Sequence, residues 1–279
     1  MSIGHHAGNR SAPTVVSAES MYEAILQQGI VPFFENAVPG YSIEEMTPPA
    51  FWFDGEEGGL GPWDWKIDCL RSGDIVYGKF LCGGKASFAT VPWYRELRNY
   101  RQSLPKHQPA GSQIVILDYL SAHGSITIRE VRQLLGIKKS AADALMTKLQ
   151  MQCRVVLGDM TRVYNGEDLS YKGWQVASFC RPEDLFGASD SIIHSPADSS
   201  TASPFRTRSA FPSDPVVPVS ELTGSKDMPV DFPFGAAFEA SENGLETTHS
   251  PEESLELLVS HLSERSGCTD RRLLLKVLG

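Results

Sequence analysis

Apolar side chains recur at helical spacing in three successive segments of residues 112–151, and two strand-like apolar runs follow at residues 153–160 and 173–179. The stretch between the two runs is polar and contains glycine, which is typical of a loop. Three helices followed by two strands with a loop between them are the order of a winged helix-turn-helix. The pattern therefore predicts this fold over residues 112–187.

The ends of the three helices also have sequence signals. Gly124 can end the first helix because glycine readily adopts positive φ. Thr127 and Glu130 have the spacing of a capping box at the start of the second helix, and Ser140 and Asp143 have the same spacing at the start of the third. We expect each pair to satisfy amide groups that a helix leaves without intrahelical partners.

Residues 18–111 form a region of different character, rich in aromatic side chains that we expect to lie mainly in a core. These aromatic residues are Phe33, Phe34, Phe51, Trp52, Phe53, Trp63, Trp65, Trp93 and Tyr94. Residues 74–88 predict a β-hairpin around Gly83-Gly84, and a helix is expected to begin at Pro92. The whole chain is thus predicted to be an α+β protein, with an aromatic-rich α+β region before the winged helix-turn-helix.

Two segments have compositions that favour disorder, and a short helical region ends the chain. Residues 1–17 are expected to be a disordered start, and residues 188–249 are expected to be a disordered, acidic, Ser/Pro-rich linker with little periodic apolar content. Ser250 followed by proline has the pattern of a helix start. We therefore predict that residues 250–279 form a pair of helices that packs on the main body.

The formal net charge of −9 is unevenly distributed along the chain. Residues 1–111 carry a net charge of −3, residues 112–180 carry +2 and residues 181–279 carry −8. Because contacts to phosphate dominate the affinity of proteins for DNA, the positive surplus of only +2 in residues 112–180 favours only modest DNA binding.

The start of the chain lacks the apolar run of a secretory signal, and no stretch approaches the roughly 18 apolar residues of a membrane span. We expect a cytoplasmic protein without a membrane partner.

A row of cations precedes the predicted winged helix-turn-helix. Arg95, Arg98 and Arg101 are three residues apart, which places their guanidinium groups along one face of a helix. Guanidinium groups suit phosphate oxygens, although pairing with local carboxylates is the alternative explanation. The candidate nucleic-acid-binding residues, including those of the third helix, are Lys85, Arg95, Arg98, Arg101, Lys138, Lys139, Thr147 and Lys148.

Metal and cofactor chemistry has no sequence support. The five cysteines are scattered without paired metal-type spacing, and the histidines outside the start of the chain are isolated. No glycine-rich phosphate loop or nucleophile triad is recognisable. We expect reduced thiols, no metal and no cofactor.

Five segments together resemble one protein family. They are NAVPGYSIEEMTPPAFWF, GPWDWKIDCLRSGDIVYGKFLCGGKASF, LMTKLQMQCRVVLGD, GWQVASFCRPEDLFG, and SPEESLELLVSHLSERSG with LLLKVLG. Over residues 20–187 and 250–279 the chain is similar to the bacterial AlkZ-related proteins. These are related to the AlkZ and YcaQ DNA glycosylases, which are built from tandem winged helices and excise alkylated or crosslinked bases. The resemblance implies DNA as a partner.

The resemblance also implies a catalytic motif. Those glycosylases carry a glutamine, an aliphatic residue and then glutamine or aspartate where a helix passes into a strand, and Gln150-Met151-Gln152 resembles this signature. By the resemblance, Gln150 and Gln152 would orient a water for attack at the glycosidic carbon. Alternation along a strand would place both glutamines on one side and Met151 on the other. The alternative is a non-enzymatic winged-helix module for binding or regulation, with a protein partner as an open option and the oligomeric state undefined.

Overall fold

The computed structural model describes residues 13–52, 61–165, 171–187 and 244–279. The helices are α1 (Ala18–Gln28), α2 (Ile43–Met46), α3 (Pro62–Arg71), α4 (Val91–Ser103), α5 (Ser112–His123), α6 (Ile128–Leu135), α7 (Lys139–Met151), α8 (Pro182–Phe186), α9 (Pro251–Ser266) and α10 (Arg271–Leu278). The strands are β1 (Ile30–Pro32), β2 (Ile75–Leu81), β3 (Lys85–Thr90), β4 (Ser125–Thr127), β5 (Val156–Tyr164) and β6 (Tyr171–Cys180). This mixture of helices and sheets confirms the α+β prediction. Within the described ranges, no helix has the length and apolar character needed to cross a membrane.

The first sheet is antiparallel, with the strand order β1-β3-β2. Val31 of β1 lies opposite Phe88 of β3, and Val76 of β2 lies opposite Ala89. Strands β2 and β3 form the hairpin predicted around Gly83-Gly84, and Pro92 occupies the first turn of α4. The local turn and cap signals therefore located these elements correctly.

The elements after residue 111 follow the order α5, β4, α6, α7, β5, β6, and the three strands form a second antiparallel sheet in the order β4-β6-β5. The capping box before α6 is confirmed: the Glu130 amide donates to Thr127 Oγ1 (3.3 Å), and the Thr127 amide donates to the Glu130 carboxylate (2.7 Å). The predicted Ser140 cap is wrong. Lys138 is the N-cap residue of α7 and provides no side-chain cap, so Ser140 already lies within the first helical turn.

The two regions predicted on either side of residue 111 share a hydrophobic core. One cluster of buried side chains contains Tyr77 and Phe88 from the first sheet, Ile116 from α5, Leu149 from α7 and Phe179 from β6. Burial of apolar surface stabilises a fold in proportion to the area removed from water. This shared cluster therefore stabilises the position of the first sheet against α7.

Of the eight described aromatic residues that were predicted to lie mainly in a core, three are buried, three are half-buried and two are exposed. Phe33 and Trp65 are buried, whereas Phe51 and Trp63 keep more than a third of their surface exposed. Phe53 lies outside the described residues. The exposed rings still contact the cluster, since the Trp63 ring lies 5.3 Å from that of Phe33.

The predicted C-terminal helices are present as α9 and α10. Ser250 caps α9 with a capping box, and Asp270 caps α10. Leu258 of α9 and Val277 of α10 are fully buried in a second hydrophobic cluster, and the amide of Cys82 donates to the Val277 carbonyl (2.8 Å). The last helices thus complete a core most of whose other members come from the first hundred residues.

A buried polar network joins α9 to α4. The carboxylate of Glu96, which has no exposed surface, accepts from Ser254 Oγ (2.6 Å) and lies 3.2 Å from His249 Nδ1. The side-chain amide of Asn99 donates to Ser254 Oγ and to the His249 carbonyl, both at 2.9 Å. Buried polar groups stabilise a structure only when they have partners, so this network requires α9 to be docked.

A ring stack provides a second connection between α9 and the body. His261 of α9 stacks on Trp93 of α4 with ring centroids 3.7 Å apart, and its Nε2 lies 2.8 Å from the Gln28 carbonyl. Burial lowers the pKa of His261 to about 4. At neutral pH the imidazole is therefore uncharged and can donate from Nε2 to the carbonyl.

Both segments predicted to be disordered have ordered residues at their described ends. Val15 is fully buried, and its amide donates to the Met46 carbonyl (2.9 Å), so residues 13–17 are not a free start. Leu245 is buried in the second cluster, so ordered structure begins before residue 250, the predicted start of the C-terminal region. The remaining parts of the two predicted segments, residues 1–12 and 188–243, lie outside the described residues.

Candidate functional site

The Gln150-Met151-Gln152 motif lies at the end of a helix and not along a strand. Gln150 and Met151 are the last residues of α7, and Gln152 is its C-cap residue, with its amide donating to the Lys148 carbonyl (3.0 Å). The predicted alternation along a strand is wrong because β5 begins only at Val156. Residues two positions apart at a helix end point in widely different directions, since each residue rotates by about 100°.

Gln150 joins α7 to the first sheet. Its side chain is 2% exposed, its Oε1 accepts from the Lys79 amide (2.8 Å), and its Nε2 donates to the Met146 carbonyl (3.1 Å). A Cβ built on the neighbouring Gly78 would lie only 3.1 Å from Gln150 Oε1. Both polar atoms of this amide are thus committed to the connection between the helix and β2.

Gln152 faces a different part of the molecule. It is fully buried, and its Nε2 donates to the Gln108 carbonyl (3.3 Å) and lies 3.4 Å from Gln113 Oε1. Its Oε1 has no hydrogen-bond partner among the described residues. The structure therefore does not bring the Gln150 and Gln152 amides together, and it pairs Gln152 with Gln113, which the sequence reasoning missed.

Replacing Gln150 by methionine is expected to lower the free energy of unfolding by about 2 kcal/mol, because the Lys79 amide would lose its acceptor and the buried Gln150 side chain its two hydrogen bonds. The matched control is Gln133→Met, since Gln133 is an exposed glutamine on α6 and its replacement should change stability by less than about 0.5 kcal/mol. Urea unfolding followed by tryptophan fluorescence measures both. Equal stability of the two variants would contradict the role of Gln150 as an interelement connection.

The three arginines of α4 do not form a solvent-facing row. Arg101 is fully buried; its Nη1 donates to the Met151 carbonyl (2.8 Å) and its Nη2 donates to the Leu278 carbonyl. Arg98 forms an ion pair with Glu183. Their face of the helix is covered because α8, α9 and α10 pack near it, a long-range arrangement that spacing within α4 does not reveal.

Arg95 is also turned away from solvent. Its side chain is largely buried, and its Nε lies 3.6 Å from the Glu96 carboxylate. Arg95 therefore has a local carboxylate neighbour, Glu96, whereas the carboxylate that pairs with Arg98, Glu183, lies 85 positions away in the sequence. Helix α4 therefore does not present the expected row of guanidinium groups to phosphate.

The lysines of the candidate interface are arranged differently. Lys138, Lys139 and Lys148, which we call the α7 lysines, are exposed. Thr147 is half-buried. Its Cγ2 packs closely against Gly84 at the tip of the β2–β3 hairpin, since a Cβ built on Gly84 would lie only 2.8 Å from it. The hairpin therefore contacts the C-terminal half of α7, while the N-terminal half is uncovered by this hairpin.

The hairpin contributes its own cations next to that contact. Lys85 is exposed, and its Nζ donates to the Glu35 carbonyl (3.1 Å). Lys79 is exposed on β2 at the point where its amide meets Gln150, and it was not among the predicted interface residues. Its sequence neighbours give no signal for an interface, because the residue reaches α7 only through the tertiary fold.

The chain matches a model of a known protein family. A family model described as AlkZ related matches residues 15–203, which is more than half of the chain. This confirms the resemblance stated for residues 20–187, whereas residues 250–279 lie outside the match. Comparison with curated proteins and comparison with solved structures both gave no match.

Proposed function

The chain belongs to the AlkZ-related family, and on that basis we propose that it is a DNA-binding protein whose residues 112–187 form a winged helix-turn-helix. The observation that carries the proposal is the order of elements after residue 111: α5, β4, α6, α7, β5, β6, with the sheet order β4-β6-β5. In this fold the helix in the position of α7 enters the major groove. The α7 lysines are exposed at both ends of that helix.

The N-terminal half of α7 is the part that we propose to contact DNA. The hairpin contact at Thr147 covers the other half, and α7 starts without a side-chain cap, so its first amides are not occupied by a capping side chain. Helix N-termini favour phosphate because of these amides and the helix dipole. Lys138 and Lys139 add positive charge at the same end.

The double variant Lys138→Gln/Lys139→Gln tests this surface. We expect its affinity for duplex DNA to fall, and the slope of log K against log salt concentration to decrease in magnitude by about 2, since each lost phosphate contact removes about 0.9. Lys106→Gln/Lys276→Gln is the matched control, because both lysines are exposed and lie outside residues 112–187. Fluorescence polarisation at several salt concentrations gives the slopes, and equal slopes for the two variants would refute the assignment.

A second candidate function is excision of damaged bases. The Gln152 side chain supports excision, because its buried Oε1 has no protein partner among the described residues and could accept a hydrogen bond from a water. Gln150 uses both polar atoms within the protein, so in this proposal it supports the motif and does not share the water. Alkylated bases are good leaving groups, and their excision does not need the carboxylate pair of ordinary glycosidases.

Release of N7-methylguanine from duplex DNA by the wild-type chain tests excision. We expect the Gln152→Met variant to lose release while keeping its far-UV circular dichroism and DNA affinity. If the wild-type chain gives no release above background, the non-enzymatic alternative is favoured, in which the module binds DNA without cleaving the glycosidic bond. Loss of salt-dependent binding as well would remove both DNA functions.

A further inference from the structure

The hairpin formed by β2 and β3 packs along the C-terminal half of α7. The Lys79 amide donates to Gln150 Oε1 (2.8 Å), and a Cβ built on Gly84 would lie 2.8 Å from Thr147 Cγ2. Gly84 has a φ of 100°, which residues other than glycine rarely adopt. The contacts place the tip of the hairpin beside the last two turns of α7.

Three exposed lysines surround this contact, and we call Lys79, Lys85 and Lys148 the second lysine set. Lys79 lies at the hydrogen bond to α7, Lys85 follows the glycine at the hairpin tip, and Lys148 follows Thr147 on α7. None of the three forms an ion pair within the described ranges. Lys85 Nζ donates to the backbone carbonyl of Glu35 (3.1 Å) and not to a carboxylate. The set therefore presents positive charge to solvent.

The exposed residues of α7 have two kinds of side chain. Lys139 and Lys148 lie near its two ends, and the exposed residues between them are Ser140, Ala141 and Ala144. Hydrogen bonds that distinguish one base pair from another come mainly from arginine, lysine, asparagine, glutamine and acidic side chains. The middle of the exposed face thus offers one hydroxyl group for reading bases, whereas its ends offer charge for phosphates.

The two charged ends of α7 have a separation close to the width of the major groove. Lys139 and Lys148 are nine residues apart, which corresponds to about 14 Å along the helix axis. The major groove of DNA is about 12 Å wide, with one phosphate backbone on each side. A helix that crosses the groove can therefore contact one strand near its first turn and the other strand near its last turn.

We propose that the second lysine set is a phosphate-binding surface, which contacts one DNA strand while Lys138 and Lys139 contact the strand across the major groove. The hairpin adds two of the three cations at the far side of the groove. Binding of this kind does not depend on base sequence, because its contacts go to the backbone. The inference rests on the proposed DNA-binding function and deepens it, since it assigns the ligand as the paired backbones of duplex DNA.

Salt-dependent binding to duplex DNA tests the second lysine set. For Lys79→Gln/Lys85→Gln/Lys148→Gln we expect the slope of log K against log salt concentration to decrease in magnitude by about 2.7, since each lost phosphate contact removes about 0.9. The matched control removes three exposed cations outside both groups of lysines, Lys106→Gln/Arg272→Gln/Lys276→Gln. Its slope should equal that of the wild-type chain. Far-UV circular dichroism checks that all variants are folded.

The slopes separate this inference from the proposed function. If the variant of the second lysine set binds like its control while Lys138→Gln/Lys139→Gln has a reduced slope, the second surface is rejected and the proposed function stays. If only the second lysine set has a reduced slope, the surface stays, and both the crossing of the groove and the contact at the start of α7 are rejected. A wild-type chain without salt-dependent binding to DNA rejects both the inference and the proposed function.

Two further ligands test the crossing of the groove. Two DNA duplexes of equal length and unrelated sequence should bind within about twofold of each other, because no base contacts distinguish them. Duplex RNA has a deep and narrow major groove that does not admit a helix, so RNA of the same length should bind more weakly by about 10-fold or more. A strong preference between the DNA duplexes, or RNA bound as tightly as DNA, would overturn the crossing.

Discussion

Replacing Gly29 by alanine is expected to lower the free energy of unfolding by about 4 kcal/mol, far more than the same change at Gly124. A Cβ on Gly29 would lie 2.5 Å from Trp93 Cδ1 and 2.7 Å from His261 Nε2, closer than carbon side chains approach other atoms. Either the helix C-cap or the Trp93–His261 stack has to move. Because that stack connects α9 to the body, the clash should weaken docking of the C-terminal helices.

Gly124 is a close backbone match to Gly29, which makes it the control. Both glycines are C-cap residues, with φ 70° and ψ −48° at Gly29 and φ 78° and ψ −38° at Gly124. No heavy atom of the described residues lies within 4 Å of a Cβ built on Gly124. Its replacement should therefore cost only the backbone strain, about 1–2 kcal/mol. Guanidinium unfolding measures the stability of both variants. Similar losses of unfolding free energy would show that the Trp93–His261 stack does not restrict position 29.

Replacing Glu96 by alanine is expected to cost about 4 kcal/mol, because it removes the acceptor of a buried network. Ser254 Oγ would lose its 2.6 Å bond, and the nearby Arg95 guanidinium would lose a neighbouring opposite charge. These losses occur inside the contact between α4 and α9, where no solvent compensates them. We therefore expect the variant to expose α9 to proteolysis at a denaturant concentration that leaves the wild-type chain intact.

Glu183→Ala is the matched control for this carboxylate. Glu183 pairs with Arg98 but is nearly half exposed, and exposed pairs contribute about 1 kcal/mol or less. Urea unfolding with limited proteolysis distinguishes the two outcomes. If Glu96→Ala is no less stable than Glu183→Ala, the network does not hold α9 on α4.

Signals that act between neighbouring residues were readable in the sequence. The Thr127–Glu130 capping box needs only two side chains three residues apart, and the glycine stop at Gly124 needs only one residue. The Ser140–Asp143 pattern shows the limit of such signals, because the same residue types also fit inside a first helical turn. A spacing rule does not decide which of these two positions a serine takes.

The partners of the motif glutamines could not be predicted, because they come from distant parts of the chain. Gln150 meets the Lys79 amide across 71 positions, and Gln152 contacts Gln113 across 39. The periodic pattern shows that α7 has a buried side but does not show which strand or helix end covers it. The same reason explains why the arginines of α4 were expected in solvent.

The placement of α10 has a consequence for synthesis on the ribosome. Val277 completes a core that also contains Phe80 and Leu97, residues that leave the ribosome 197 and 180 positions earlier, respectively. Until the last helix emerges, the part of this apolar surface that α10 buries has no cover from its own chain. Nascent chains of this protein should therefore engage chaperones early and release them only after translation reaches α10.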